Sequence, residues 1–372
     1  MVASLRKMII LASSTSQRPI MKIAVIAITR NGARIGSTLT SAIPEATLFV
    51  PEKYATTVED GTVYTGAVKD LVAQLWPKVE GFVCIMATGI VVRLIAPHIK
   101  AKDLDPAVVV MDDAGKFAIS LLSGHLGGAN DLASRCAVLT GAQEVITTAT
   151  DVNGLPSFDM LAQKEGWVID DLSRVKLLNS LLLDDELIAV VDPTGRVHIV
   201  FDGRGRLSFY ETPAEALKSG AKGCLLVTNR YFHDPSGRLL ILRPRNLVLG
   251  IGCNKGTGED EIREVVFSTL ERQNLSFKSV FCIATAEAKR HEPGLVAFAS
   301  SAGVPLICYE SHVLNEVTVP TAPSAHAMAA IGAKGVAEPA ALLASGGGIL
   351  LMSKLKSGNV TLAIAEATPF TG

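Results

Sequence analysis

Ser120-Leu-Leu-Ser-Gly-His-Leu-Gly-Gly-Ala-Asn-Asp131 runs from an apolar strand into a polar, glycine-dense turn and on into a helix. Five side chains able to do chemistry or bind, Ser120, Ser123, His125, Asn130 and Asp131, fall within it. Gly124, Gly127 and Gly128 leave backbone amides uncovered, so a ligand can approach closely. Junctions of this kind are where open α/β sheets place their ligands. The stretch therefore predicts an α/β fold and marks its candidate site.

Working outward, the same strand, turn and helix pattern recurs. Lys22 to Ile28 is a continuous apolar run that reads as a buried parallel strand, followed by a turn at Thr29-Arg-Asn-Gly32. Ala46 to Val50 reads as a second strand and Gly66 to Trp76 as a helix ended by Pro77. Gly81 to Ala87 is a strand leading into an apolar helix that Pro97 stops. Ala107 to Met111 and Lys116 to Leu122 form a hairpin about Asp112-Asp-Ala-Gly115, and the second of these strands delivers the central turn. A helix from Ala129 to Leu139 follows, with Leu132, Cys136 and Leu139 inward, then a returning strand from Glu144 to Ala149 and a loop from Asp151 to Pro156.

From Ser157 the texture changes to two helices (157 to 166 and 173 to 183) and short strands broken by Asp-Pro-x-Gly-Arg turns. Arg243-Pro-Arg245 marks a boundary. A fresh α/β unit then opens with the strand Leu247 to Cys253, the turn Asn254 to Thr257 and a helix from Gly258 to Gln273 with Thr257 as its N-cap. Further strands are expected at Val280 to Ala284, Pro305 to Tyr309, Gly348 to Met352 and Val360 to Ala365, with helices at 289 to 302 and 335 to 345. The expected architecture is thus α/β: an amino-terminal α/β domain with a mostly parallel sheet (21–156), a small α+β middle domain (157–244) and a carboxy-terminal α/β domain (245–372).

At 48% apolar and 19% charged residues, the 372-residue chain has the balance of a soluble globular protein. Its 35 Lys+Arg against 36 Asp+Glu give a net charge of -1, which excludes global attraction to nucleic acid or an anionic membrane. Any anionic ligand must be held by local groups. The six cysteines are scattered through apolar runs without a Cys-x-x-Cys pair, as expected of reduced core residues in a cytoplasmic protein. No metal-ligand spacing appears among the seven histidines, so no protein-held metal or other cofactor is expected. Arg93 interrupts the longest apolar run, Phe82 to Ala96, so no membrane span is expected. Residues 1 to 20 are basic and Ser/Thr-rich, yet Met21 directly precedes a clean strand; they read as an upstream extension or a mis-set start ahead of a transit peptide. Monomer and homodimer both stay open.

For chemistry, His125 is the candidate general base, because imidazole titrates near pH ~6.5 and Asp131 can orient it from the start of the same helix. Ser123 completes the candidate catalytic set. Ser-Gly-His lacks the Gly-x-Ser-x-Gly elbow, which favours ligand hydrogen bonding by Ser120 and Ser123 over nucleophilic attack. Gly250-Ile-Gly-Cys-Asn-Lys-Gly-Thr-Gly258 departs from both phosphate-loop patterns. Even so, free amides at a helix start together with Lys255 suit a carboxylate or phosphate. Arg93, in an apolar helix, calls for a partner carboxylate or a ligand. Ser324, His326 and Glu338 either line a cleft or cap helices, and capping is the simpler reading.

Four long pieces together resemble the cobalt-precorrin-5A hydrolase family of anaerobic cobalamin biosynthesis, CbiG. They are Ala87-Thr-Gly-Ile-Val-Val-Arg-Leu-Ile-Ala-Pro-His98, Asp105-Pro-Ala-Val-Val-Val110, the central stretch to Asn130, and Val145-Ile-Thr-Thr-Ala-Thr-Asp-Val-Asn-Gly154. Gly250 to Gly256 and Gly335-Val-Ala-Glu338 resemble that family's carboxy-terminal module. The similarity spans nearly all of residues 21 to 368; residues 1 to 20 lie outside it, and Asn254 stands where many members carry a second basic residue. The resemblance implies opening of the δ-lactone of a ring-contracted cobalt tetrapyrrole with loss of acetaldehyde, cobalt arriving in the substrate. With that reaction in view, His125, steadied by Asp131, is expected to activate water, the amides at Gly124, Gly127 and Gly128 to hold the oxyanion, and Arg93, Ser120, Asn130, Gly252, Asn254, Lys255 and Gly256 to contact substrate. Three other readings stay open: a non-catalytic tetrapyrrole carrier of the same pathway, a nucleotide-binding protein and a serine acyl-hydrolase.

Overall fold

The computed structural model describes residues 22–234 and 236–367; the extension at residues 1–20 lies outside the described residues. Two compact units are resolved, one ending at Met160 and the other starting at Leu161.

The first unit is built on strands β1 (Ile23–Ala27), β2 (Ala46–Pro51), β3 (Thr62–Tyr64), β4 (Gly81–Ile85), β5 (Ala107–Met111), β6 (Phe117–Leu122) and β7 (Gln143–Val145). They form one sheet in the order β3-β2-β1-β4-β5-β6-β7. In β1, β4 and β5 every residue is buried, because helices cover both faces and each strand must be apolar on both. Ile23, Val25 and Ala27 pack on one face with Ala33, Leu39, Leu132 and Cys136, whereas Ala24 and Ile26 pack on the other with Val72, Val91 and Ile95. The helix Arg30–Ala42 occupies the stretch expected to turn at Gly32. Thr29 caps it by accepting the Gly32 amide at 3.0 Å, and a side chain at Gly32 or Gly36 would run into Ile85 or Leu48. Those glycines allow close helix-on-sheet packing, which looks like turn chemistry in sequence.

All pairings in this sheet are parallel except one: β6 runs antiparallel to β5, and β7 runs parallel to β6. The carboxyl ends of β6 and β7 therefore share one rim, opposite the carboxyl ends of β1, β4 and β5. The returning strand is also shorter than expected. Pairing stops at Val145, and Ala149–Val152 winds into a helical turn because the chain bends inward, where Thr148 accepts a hydrogen bond from Asn130.

The second unit carries two further sheets. β8 (Val168–Ile169), β9 (Ile188–Val191), β10 (Leu207–Phe209), β11 (Gly223–Val227) and β12 (Leu239–Arg243) order as β10-β9-β11-β12-β8, with β8 antiparallel. β13 (Leu247–Cys253), β14 (Val280–Ala286), β15 (Leu306–Tyr309), β16 (Ile349–Ser357) and β17 (Val360–Glu366) order as β15-β14-β13-β17-β16, with β17 antiparallel to both neighbours. Asp170 links the two sheets: the guanidinium of Arg243, only 1% exposed, reaches it at 2.8 Å from its own sheet, and Lys278, just before β14, meets the same carboxylate at 2.6 Å. Burial pushes Asp170 up, but Arg243 and Lys278 outweigh it and hold the group below the usual carboxylate range.

Thr257, expected as an N-cap, instead donates its hydroxyl to the Asn254 carbonyl at 2.8 Å, and Gly258 caps the helix Glu259–Arg272 without a side chain. β16 extends past Met352 to Ser357, since the polar alternation Ser-Lys-Leu-Lys-Ser pairs with β17 across an edge. Ser324 does cap a helix, Ala325–Ile331, accepting the Ala327 amide at 3.3 Å.

Gly250 lets the helix Ala337–Ala344 lie directly on β13, since a Cβ there would fall 1.8 Å from the Ala337 carbonyl oxygen. Backbone cannot step aside as a side chain can. Gly250→Ala is therefore expected to lower the stability of the second unit by ~3 kcal/mol through overpacking. Urea unfolding of wild type and variant checks this, and an unchanged midpoint would show that the helix seats itself elsewhere.

Candidate functional site

The shared rim of β6 and β7 gathers the polar side chains. After β6 the chain turns tightly: Ser123 adopts a left-handed φ of 58°, its carbonyl accepts the Ala129 amide at 3.1 Å, and the Gly124 carbonyl accepts the Asn130 amide at 3.0 Å. Gly127 crosses so close that a Cβ would lie 2.3 Å from that of Ser123, so only glycine fits. This winding places His125 toward the loop that leaves β7.

His125 lies between two carboxylates. Protonated, its Nε2–H donates to Asp151 Oδ2 at 2.8 Å and its Nδ1–H to Asp159 Oδ2 at 3.2 Å. Asp159, against the opposing effect of burial and with Asp151 adding to it, raises the imidazole above its ordinary 6.5. In its protonated form, with both N–H groups donating to carboxylates, the ring has no lone pair to offer. Side-chain exposure rises along the chain of groups, 4% at Asp159, 12% at His125 and 40% at Asp151. Ser120 donates to Asn130 Oδ1 at 2.7 Å, and Asn130 in turn donates to Asp151 Oδ2 at 3.0 Å. Asp151 is anchored from two sides through one oxygen.

Ser120, His125 and Asn130 are brought together as expected, but other expected partners are not. Asp131 is exposed in the first turn of the helix Ala129–Thr140, and the carboxylates on the ring are Asp151 and Asp159. One turn of helix points neighbouring residues in different directions, so proximity in sequence misled here. Ser123 Oγ is buried with no hydrogen-bond partner, which removes it from a nucleophile's position. The Gly128 amide is spent on the His125 carbonyl at 2.9 Å, leaving Gly124 and Gly127 of the three glycines for an oxyanion. Arg93 is exposed on the helix Thr88–Ile95, which begins at the opposite rim of the sheet, and no carboxylate among the described residues pairs with it. Asp151 lay in view within Val145 to Gly154. Its signal was the parallel pairing of β6 and β7, which carries their outgoing loops to one place.

In the second unit, Gly252, Asn254 and Lys255 line a cleft of about 710 Å³ together with Lys334, Lys354 and Lys356. Gly256 does not present its amide there: it donates to Glu292 Oε1 at 2.6 Å. That amide, against the effect of burial and with Lys289 helping, holds Glu292 below the usual carboxylate range. Asn254 is tied to Asn359 through both side chain (2.8 Å) and backbone (3.0 Å). The loop is therefore no open nest of amides, and its positive character comes from lysine side chains. Glu338, only 2% exposed, accepts from Thr321 and from the Lys354 amide, and His326 lies exposed on the same cleft.

Among the described residues no helix is long and apolar enough to cross a membrane. Three family models match the chain in order: cobalamin synthesis G N-terminal over residues 70–151, cobalamin biosynthesis central region over 156–244 and cobalamin synthesis G C-terminus over 247–365. A protein of Priestia megaterium named cobalt-precorrin-5A hydrolase is 36% identical over 352 residues, covering 92% of this chain and 94% of that one. Its namesake in Salmonella typhimurium is 32% identical over 357 residues, covering 93% and 97%. Protein CobE of a Sinorhizobium species is 31% identical over 121 residues, 32% of this chain and 79% of that protein. Matched by all three models and by relatives of this identity over nearly its whole length, the chain belongs to the cobalamin synthesis G family, CbiG.

Proposed function

We propose that this chain is a cobalt-precorrin-5A hydrolase that opens the δ-lactone of a ring-contracted cobalt tetrapyrrole and releases acetaldehyde, the cobalt arriving in the substrate. The names of the long relatives support the substrate and the hydrolytic class. The chemistry rests on one observation above others. Asp151 is held through Oδ2 by His125 and Asn130, whereas Oδ1 has no partner among the described residues and the side chain is 40% exposed.

In this reading Asp151, not His125, is the general base. Oδ1 takes a proton from water as the water oxygen bonds to the lactone carbonyl carbon, with the Gly124 and Gly127 amides toward the oxyanion. Collapse breaks the ring carbon–oxygen bond, and the departing oxygen takes the proton back. The product carries a carboxyl group and a free hydroxyl. Asp151 then removes the hydroxyl proton, the oxygen's electron pair forms the aldehyde carbonyl, and the carbon–carbon bond to the macrocycle breaks. Its electron pair passes into the macrocycle, which takes up the proton. One water enters and one acetaldehyde leaves. His125 keeps Asp151 oriented, and Asp159, the largest influence raising the imidazole pKa, favours the charged ring. A serine acyl-hydrolase is disfavoured, because Ser123 Oγ is shut away and neither ring nitrogen of His125 is free to activate it.

Anaerobic turnover of cobalt-precorrin-5A, with acetaldehyde read by a coupled alcohol dehydrogenase, is the test. Asp151→Asn is expected to lower kcat by about 10²–10⁴-fold, and His125→Gln to lose most of the activity, as removal of a positioned base and its support should. Asp131→Ala should stay within about threefold of wild type, as an exposed residue with no role in the base. Full activity in Asp151→Asn would remove the carboxylate from the reaction.

The raised pKa of His125 also sets a pH dependence. A group whose folded-state pKa lies above its unfolded value stabilises fully below that unfolded value, ordinarily 6.5 here, and the gain disappears as pH rises through the folded value. Urea unfolding of the full chain from mildly acidic to mildly alkaline pH should show wild type losing stability relative to His125→Gln as pH rises. A difference independent of pH would mean that the ring is neutral in the fold.

A further inference from the structure

The lysine-lined cleft in the second unit contains none of the groups given a bond-making or proton-transfer step, but Gly252, Asn254 and Lys255, expected from sequence to touch substrate, line it, and it concentrates charge in a chain whose net charge is -1. Its walls include Lys255, Lys289, Lys334, Lys354 and Lys356. Nearby carboxylates are already committed: Glu292 to the Gly256 amide and Lys289, and Glu338 to Thr321 and the Lys354 amide. Lys354 Nζ donates to the Ala322 carbonyl at 2.6 Å. Lys255, Lys334 and Lys356 are exposed, and among the described residues no carboxylate pairs with any of them. Three ammonium groups thus reach one space from three different segments, around an apolar floor that includes Val319, Ile331 and Val336.

The backbone narrows the class of ligand. A nucleotide would seat its phosphates on clustered amides, as glycine-rich loops do. Here those amides are spent: Asn254 N donates to the Asn359 carbonyl at 3.0 Å, Gly256 N to Glu292 at 2.6 Å and Thr257 N to the Asn254 carbonyl at 3.4 Å. Separated point charges around an apolar surface suit a flat body with carboxylates at its edge, and about 710 Å³ is within the range of small-molecule sites.

We propose that this cleft reads the peripheral carboxylates of the tetrapyrrole through Lys255, Lys334 and Lys356, and that it holds the macrocycle independently of Asp151. The proposal rests on the reading of the chain as acting on a tetrapyrrole and adds how that substrate is held.

The test titrates full-length protein with the octacarboxylate uroporphyrin III, followed by absorbance, at low and high salt. Lys255→Ala, Lys334→Ala and Lys356→Ala combined should weaken binding by at least about tenfold, and salt should weaken the wild type toward the variant. Arginine at the same three positions should restore affinity to within about threefold, which separates lost charge from lost folding. The dicarboxylate mesoporphyrin should bind more weakly, ATP should not displace the probe, and Asp151→Asn should bind as wild type does. Equal binding by the triple alanine variant, displacement by ATP, or no binding to wild type would overturn the proposal. Lysine-dependent binding by a wild type that releases no acetaldehyde from cobalt-precorrin-5A would instead overturn the hydrolase reading and leave the cleft standing.

Discussion

An imidazole closed between two carboxylates is favoured as a cation, and the rim of the first unit is arranged around that constraint. Asp159 is nearly fully buried, where an unpaired charge would be costly, and His125 supplies the compensating charge. The same ring then turns its second N–H to Asp151. Asn130, itself fixed by Ser120, meets the same carboxylate oxygen from the other side. Interlocked donors of this kind hold a carboxylate rigidly while leaving one of its oxygens outward, which is what a general base requires.

The placement follows from one reversal in the sheet. Had β6 run parallel to β5, its turn, and with it the loop leaving the parallel β7, would have joined the outgoing loops of β1, β4 and β5. Because β6 folds back through the hairpin at Asp112-Asp-Ala-Gly115, the loops leaving β6 and β7 meet at a rim that the other strands only enter. Gly127 and the left-handed Ser123 are the local cost of turning tightly enough to aim the ring. In the second unit the corresponding economy is electrostatic. Glu292 fills the loop that would otherwise cradle a phosphate, so the lysines alone set the character of the cleft.

Much of the fold was legible because burial on both faces forces continuous apolar runs, and β1, β4, β5 and β13 read directly as such. The helix Arg30–Ala42 was hidden because Gly32 and Gly36, used for close packing, carry the same local signal as a turn. The polar half of β16 was hidden because an edge strand needs no apolar alternation on its outer side. In the candidate site, the grouping of His125, Ser120 and Asn130 was legible from their crowding within one short stretch. Asp131 was a wrong partner for the opposite reason: contacts between loops depend on strand order, which no short window contains. Asp151 and Asp159 reach His125 only once β6 and β7 are paired and the helix Phe158–Glu165 is in place.

Nitrogen-15 NMR of the imidazole of His125 in the full chain tests the clamp most directly. Both ring nitrogens should carry protons at neutral pH, with a titration midpoint above 6.5 that falls when Asp159 is replaced by Asn. A neutral ring with a single protonated nitrogen at pH 7, unmoved by Asp159→Asn, would contradict it and return the role of base to the imidazole.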